Sequence, residues 1–389
     1  MVKFSIIMPV YNNEKYFPLA VKSIEAQNYD NYELIIIDDG STDKTSNIAD
    51  QLAANNPHIK VIHQKNQWIY NSFNNGISLA TGEYIYILNS DDHLIPGALK
   101  LFNKKIEEYH PDIIWTKVLH HICDVNQNII VYDNYNINRH ITEEYFYSNK
   151  KEVMEAWPFF ISSRLALDQA NLYKRDIMQS HLFRNDVYAA DTLYNISIAD
   201  DIHSALILQD PIYNHYIYYE DKSMNASVGK YYSYEHIMFN DIYTQYKILF
   251  QKWNLPSENY KSILIKNRMT KLSFEFRHLK AENCPLTLEK KLQFLFSDCI
   301  DEIIKECVIE GNRGEELEGR VLSGARELLI KESISRDNEM YFVYELLESL
   351  LCYEKDQDDL KRIENAINHP LNPMNIGSIF YKKLVYGRK

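Results

Sequence analysis

Within its first 120 residues the chain alternates short apolar runs with helix-length amphipathic segments, and few folds accept that rhythm. The apolar runs are Phe4–Met8, Glu33–Ile37, Ile59–His63, Glu83–Leu88 and Asp112–Lys117. Between them, near Tyr16–Ala26, Asp43–Ala54, Ile69–Ala80 and Pro96–Tyr109, the pattern has the helical period. Strands separated by helices of this length predict a parallel, doubly wound sheet, since a helix carries the chain back to begin a neighbour in the same direction. Ligands bind such sheets beyond the carboxyl ends of the strands. Here those ends read Pro9-Val10-Tyr11-Asn12, Asp38-Asp39-Gly40-Ser41 and Asn89-Ser90-Asp91-Asp92. Three polar termini on one edge predict a site.

The third of these is the most pointed. The run Glu83 to Leu88 reads as a buried strand that leads straight into two adjacent carboxylates. Neighbouring anions repel, and Asp is rarely buried without a partner. A hard, oxygen-ligated divalent cation that also binds phosphates would satisfy the pair. The plain alternative is a strand-to-loop turn, where Asp is common.

At 389 residues the chain is long for one core, which predicts two domains. Residues 120–230 are irregular and rich in Tyr, Asn and Asp. From Tyr231 the pattern is helical, with segments near Ser257–Lys280, Leu286–Ile309, Glu315–Lys331 and Asn338–Tyr353, and Ser257 as an N-cap. The net charge of −12 speaks against a nucleic-acid binder. Five cysteines (Cys123, Cys284, Cys299, Cys307, Cys352) lack metal-type spacing and read as reduced. No charged-then-apolar leader opens the chain and no apolar run approaches a bilayer span, so a cytoplasmic protein is expected. The basic, aromatic tail 381–389 reads as a solvated end, with a membrane-surface contact as its sharper reading.

Other doubly wound chemistries lack their residues. No Gly-x-Gly-x-x-Gly follows the first strand, and the nearest approach to a phosphate loop, Gly319 to Gly324, has no strand before it and ends in Ala325-Arg326. Nucleophile-elbow and zinc-hydrolase motifs are absent from the sequence.

The N-terminal half resembles the family 2 glycosyltransferases of the GT-A fold. The matching stretches are Ser5-Ile6-Ile7-Met8-Pro9-Val10-Tyr11-Asn12, Leu34 to Asp43, and Ala80-Thr81-Gly82-Glu83-Tyr84-Ile85 leading to Asp91-Asp92. The resemblance covers about residues 1–225. It implies a GT-A domain over 1–230, with a nucleotide-binding half to about residue 120 and an acceptor-side half after it; the α-helical domain expected over 231–389 lies outside the resemblance and rests on the helical pattern alone. It also implies an inverting, metal-dependent transferase that uses a nucleoside-diphosphate sugar. By that resemblance Pro9 and Tyr11 line the base pocket, Asp39 bonds the base, and Asn74 and Asp91 contact the donor. Asp92 would ligate a Mn²⁺ or Mg²⁺ ion that neutralises the leaving diphosphate. Asp38 is expected to cap the turn at Gly40.

Two departures stand out. Asn89 replaces an Asp common among relatives, and Phe73 occupies the place of an Arg in Ser72-Phe73-Asn74-Asn75-Gly76. Inversion needs a carboxylate to take the acceptor's proton. Tyr188-Ala189-Ala190-Asp191-Thr192-Leu193-Tyr194 resembles the family's Glu-Asp-x-x-Phe element, which makes Asp191 the base, with helix capping as the bland reading and Asp200-Asp201 as a competing pair. Smaller candidates are Trp157-Pro158-Phe159 for sugar stacking, against plain core, and His215 or His236 as a metal imidazole. His120 and His121 point to opposite faces of a strand and cannot share one site.

The expectation is an enzyme that moves a sugar, from a UDP-sugar as the anticipated donor, to a surface polysaccharide, lipooligosaccharide or teichoic-acid-type acceptor. Its partners would be the nucleotide sugar and a glycan or lipid-linked glycan, with the inner membrane face and a homo-oligomer through the helical half as further contacts. The competing reading is a non-catalytic sugar-nucleotide or glycan-binding module with a helical assembly domain.

Overall fold

The computed structural model describes residues 1–331 except 125, 127, 134–140, 164, 166–169 and 219–228. The helix expected at 338–353, Cys352 and the tail 381–389 lie outside the described residues. Backbone contacts divide the chain into two units, Met1–Ala226 and Ser227–Lys389.

In the first unit, β1 (Phe4–Val10), β2 (Tyr32–Asp38), β3 (Ile59–His63) and β4 (Tyr84–Ile87) run parallel in the order β3-β2-β1-β4. They are joined by α1 (Phe17–Glu25), α2 (Thr45–Asn55) and α3 (Ile69–Leu79). β1 and β2 are buried at every position, and a strand covered on both faces reads as a continuous apolar run rather than an alternating one. Phe4, Ile6 and Met8 share a core with Phe17, Ala20 and Ile24 of α1 and with Leu99 and Phe102 of α4 (Ala98–Tyr109). On the other side α3 comes so close that a Cβ on Gly76 would fall 2.4 Å from Ile7 Cγ2.

The motif Ala80-Thr81-Gly82 serves the fold rather than the site. Glu33 accepts hydrogen bonds from Thr81 N (2.7 Å), Thr81 Oγ1 (2.7 Å) and Ser5 Oγ (2.7 Å) at the start of β1 and β2, the edge opposite the carboxyl ends. Burial would raise the Glu33 carboxyl, but these bonds and Lys60 overcome it and hold the group at about 2.

The expected parallel series stops at β4. β6 (Ile113–Cys123) is separated from it by β9 (Asn171–Lys174), which is antiparallel to both. β10 (Ala205–Tyr218) pairs parallel with β6. Antiparallel β5 (His93–Leu94) and β8 (Tyr145–Tyr147) add to β10, and β7 (Ile129–Asp133) adds to β6. The result is one mixed ten-stranded sheet. Four-residue β9 has too little pattern to be legible, and only pairing on both sides makes it a strand. β10 shifts register around Pro211, which has no N–H to give a ladder. Helices α5 (Lys150–Ser162), α6 (Arg175–Gln179) and α7 (Ala190–Ile198) complete the unit.

The second unit contains α8 (Glu235–Lys252), α9 (Ser257–His278), α10 (Leu288–Gln293), α11 (Glu302–Gly311) and α12 (Gly314–Lys331). The single helix expected over Leu286–Ile309 is broken. α10 loosens into a π-helical stretch, Phe294–Asp298, and Asp301 then caps α11 by accepting from Ile304 N at 2.9 Å. Pro256, not Ser257, is the N-cap residue of α9. At the centre of this unit Arg268, 1% exposed, donates to Glu275 and to Asn240 at 2.7 Å each. His236 bridges Glu275 (2.6 Å) and Asp301 (3.1 Å), so this imidazole serves the helical unit's ion pairs.

Candidate active site

The parallel strands end side by side, with Val10 in register with Asp38. Asp38 is consumed locally: it accepts from Ser41 N (3.0 Å), Ser46 Oγ (2.5 Å) and His63 Nδ1 (2.8 Å). Burial would raise its carboxyl, yet these bonds hold it below the usual range. The expected capping role at Gly40 follows directly.

Asp39 is arranged differently. Its Oδ1 accepts from Gln64 Nε2 (2.7 Å) and Gln67 N (2.9 Å), and no bond among the described residues reaches Oδ2. Gly40 makes this possible. Its φ is +77°, and a Cβ there would stand 2.9 Å from Asn66 N and 3.1 Å from Gln64 O. The Gln64–Gln67 segment therefore crosses directly over the turn. Pro9 is buried in β1, while Tyr11 just beyond the strand is 48% exposed beside the same edge. Asn13 clips this end to the next one, donating to Ser90 O and Ser90 Oγ at 3.0 Å.

The third strand end separates its two carboxylates. Asp92, 1% exposed, accepts from Tyr213 Oη at 2.5 Å and Asn89 Nδ2 at 3.4 Å on Oδ2, and from Tyr216 N at 2.9 Å on Oδ1. Both oxygens expected at a metal are thus engaged by protein donors, because β10 folds across the end of β4. Asp91 is the more accessible of the two, and no other described residue donates a hydrogen bond to its carboxylate. Burial and Asp92 push the Asp91 carboxyl up to about 7, opposed by His215. Burial likewise pushes Asp92 to about 7 against its three donors. Asn89 Oδ1 is buried with no donor of its own.

His215 lies in register with His120 across β10 and β6, and their Nδ1 atoms are 2.9 Å apart. Burial lowers its imidazole while the Asp91 charge raises it. His121 turns the other way and meets Asn214 Oδ1 at 2.8 Å. Among the described residues no three His, Cys, Asp or Glu side chains form a metal cluster. Asp91 and His215 are nonetheless a carboxylate and an imidazole close enough for each to shift the other's proton affinity. Such a donor pair fits a divalent cation that completes its shell from a ligand.

Asp191 occupies the first turn of α7, where the helix N-terminus favours negative charge. The helix is anchored by Tyr194 Oη donating to Met178 O (3.1 Å), by Tyr173 Oη donating to Asn195 (3.3 Å), and by Tyr194 stacked on Phe183 at 3.8 Å. α3 joins this segment to the Asp39 turn. Asn74 holds both backbone polar atoms of Phe183, accepting at 2.8 Å and donating at 2.9 Å, and Tyr70 Oη donates to Tyr188 O. Ser72 and Asn75 on the same helix touch Gln64. Asn74, expected at the donor, is therefore engaged in positioning the segment that leads to Asp191. Phe73 is buried among Tyr70 and Phe183.

Other candidates settle into the fold. Trp157 is wholly buried, packing on Trp115 and Phe160. Asp201 meets His181 at 2.6 Å and Asp200 meets Lys150 on the surface. Gln64, Gln67 and Tyr216 were not visible as site residues in the sequence, although Gln64 directly follows a strand end; Tyr213 lies in Pro211-Ile212-Tyr213-Asn214, whose resemblance to a family element was a signal.

Residues 5–170 match a family model described as Glycosyl transferase family 2. Glycosyltransferase GlyG of Streptococcus pneumoniae is 36% identical over 111 residues, 28% of this chain and 37% of GlyG. A Campylobacter jejuni protein described as GalNAc(5)-diNAcBac-PP-undecaprenol beta-1,3-glucosyltransferase is 34% identical over 110 residues, 28% of this chain and 36% of its own. The chain thus spans less than two fifths of either relative. A crystal structure of S. aureus TarS residues 1–349 in complex with UDP-GlcNAc has a TM-score of 0.53 at 19% identity, covering 86% of this chain and 93% of that one. The likeness is one of fold, a GT-A α/β domain followed by helices.

Proposed function

We propose, for a chain whose residues 5–170 match the family model described as Glycosyl transferase family 2, that it transfers a sugar from a UDP-sugar to a hydroxyl of a surface glycan with inversion. The observation that carries this reading is the set of strand ends: Asp39 with one open oxygen, Asp91 beside His215, and Asp191 on a helix tied to the base side through α3. The fold shared with a UDP-GlcNAc-bound protein supports the donor class, and the undecaprenol-linked acceptor in a relative's description supports a lipid-linked glycan. Among the described residues no helix is long and apolar enough to cross a membrane. We place contact with such an acceptor at the inner membrane face.

In this reading Pro9 and Tyr11 border the base, and Asp39 Oδ2 accepts its N–H. Asp91 and His215 would hold Mn²⁺ or Mg²⁺ beside the donor's diphosphate. A divalent cation there supplies charge neutralisation for the departing diphosphate. Asp92 binds no donor directly: its two oxygens fasten Tyr213 and the Tyr216 backbone beneath the Asp91 loop. Asp191 takes the acceptor hydroxyl's proton while that oxygen bonds to the anomeric carbon from the face opposite the diphosphate. The carbon–oxygen bond to the diphosphate breaks, and UDP leaves with the bonding pair.

Transfer is tested by incubating the full chain with UDP-sugars and a lipid-linked or oligosaccharide acceptor, reading UDP release and the anomeric configuration of the product. Asp191→Asn lowers kcat about 10²- to 10⁴-fold with donor affinity retained, whereas Asp91→Asn weakens metal-dependent UDP binding. Near-normal transfer by both variants would refute the mechanism.

A further inference from the structure

The turn at Asp39 carries a polar relay that sugar transfer itself does not use. Gln64 Oε1 accepts from Asn75 Nδ2 at 2.6 Å, while its Nε2 donates to Asp39 Oδ1 (2.7 Å) and Ser72 Oγ (3.1 Å). Asn75 fixes which end of the Gln64 amide faces Asp39, since the reversed amide would set its oxygen against a carboxylate. Gln67 N brings a second donor to the same Oδ1 at 2.9 Å. The backbone is equally determined: Gln64 N donates to Asp38 O (3.0 Å) and Asp39 N to Val10 O (2.9 Å).

We propose that Gln64, braced by Asn75, makes Asp39 a one-oxygen reader and so sets the base specificity of the donor. This rests on the donor site described under the proposed function. With both protein donors on Oδ1, the carboxylate plane is fixed and only Oδ2 remains for a ligand. Uracil presents a single N3–H and is satisfied by one acceptor. Guanine presents N1–H and an adjacent exocyclic N–H, a pair that suits both oxygens of a carboxylate. Against a one-oxygen Asp39 one of guanine's donors goes unpaired, and an unpaired buried polar group is a strong basis for rejection. Cytosine presents a lone pair at N3, which the carboxylate repels. Gln64 touches no base itself and acts as a positioning residue through Asp39.

Isothermal titration of the full chain with UDP, GDP and CDP in Mn²⁺ tests this without any acceptor. Wild type is expected to bind UDP most tightly. Gln64→Leu leaves Oδ1 with a single donor and lets the carboxylate turn, so the UDP-over-GDP preference falls about tenfold. Asn75→Ala, at an exposed position, shifts the preference in the same direction and stands in if Gln64→Leu fails to fold. An unchanged UDP-to-GDP ratio in a folded variant that still binds UDP overturns the proposal while leaving the donor site standing. Equal wild-type affinity for the three nucleotides does the same. Failure of wild type to bind any of them overturns the donor site and this proposal together.

Discussion

Replacing Asp92 by Asn should change stability in a way that depends on pH. The carboxyl is raised from 3.8 to about 7, chiefly by burial. A carboxyl whose folded pKa lies above its unfolded one binds protons more tightly in the folded state, so folding loses stability as pH rises between the two values. With about 1.4 kcal/mol per pH unit, ionisation costs the folded chain roughly 1.5 kcal/mol at pH 5 and about 4 kcal/mol once pH exceeds 7. The Asn side chain has no such slope, but its NH₂ must face either Tyr213 Oη or Tyr216 N, both of which now donate to Asp92. That mismatch costs about 1–3 kcal/mol at every pH. Between pH 5 and pH 8 the variant therefore gains about 2.5 kcal/mol relative to wild type, and Asp91, whose proton affinity Asp92 raises, adds in the same sense. Urea unfolding of both chains in EDTA at pH 5, 6, 7 and 8 measures the difference. A gap between the two chains that stays constant with pH, or moves against the variant as pH rises, would show that Asp92 is charged throughout and that burial does not govern this corner.

Gly40→Ala places a Cβ 2.9 Å from Asn66 N at a φ of +77°, which should cost about 1–3 kcal/mol in urea unfolding. It should also abolish tight UDP binding, because the Gln64–Gln67 segment must move away from Asp39. Arg268→Ala takes the guanidinium from buried Glu275, leaving it only the His236 imidazole, and should destabilise the helical unit by about 3–5 kcal/mol. Limited proteolysis should then cut first after residue 230, and an unchanged cleavage pattern would argue that the pair contributes little.

Much of the nucleotide-side architecture could be read directly from residue order. The apolar runs 4–8 and 33–37 follow from period and length, since a strand buried on both faces leaves an unmistakable signature, and 59–63 and the intervening helices follow from their spacing. The convergence of Pro9, Tyr11, Asp39 and Asp91-Asp92 on one edge follows from the same rule, as parallel strands bring their carboxyl ends together. What could not be read depended on partners distant in sequence. β9 is a strand only because β4 and β6 flank it, and the helix at Leu286–Ile309 is broken where Asp301 starts a new cap.

The same division separates the two aspartates. In sequence Asp91 and Asp92 are equivalent neighbours, and nothing local says whose oxygens the protein itself engages. The tertiary structure decides that through residues more than 120 positions away: Tyr213 and Tyr216 on β10 take both oxygens of Asp92, while no other described residue donates to the Asp91 carboxylate. Asn74 and Gln64 exchange prominence for the same reason, one turned to the Phe183 backbone and the other to Asp39. Sequence period determines where a strand ends. Which side chain at that end keeps an unpaired oxygen is determined by long-range hydrogen bonds, and those form only when the sheet closes.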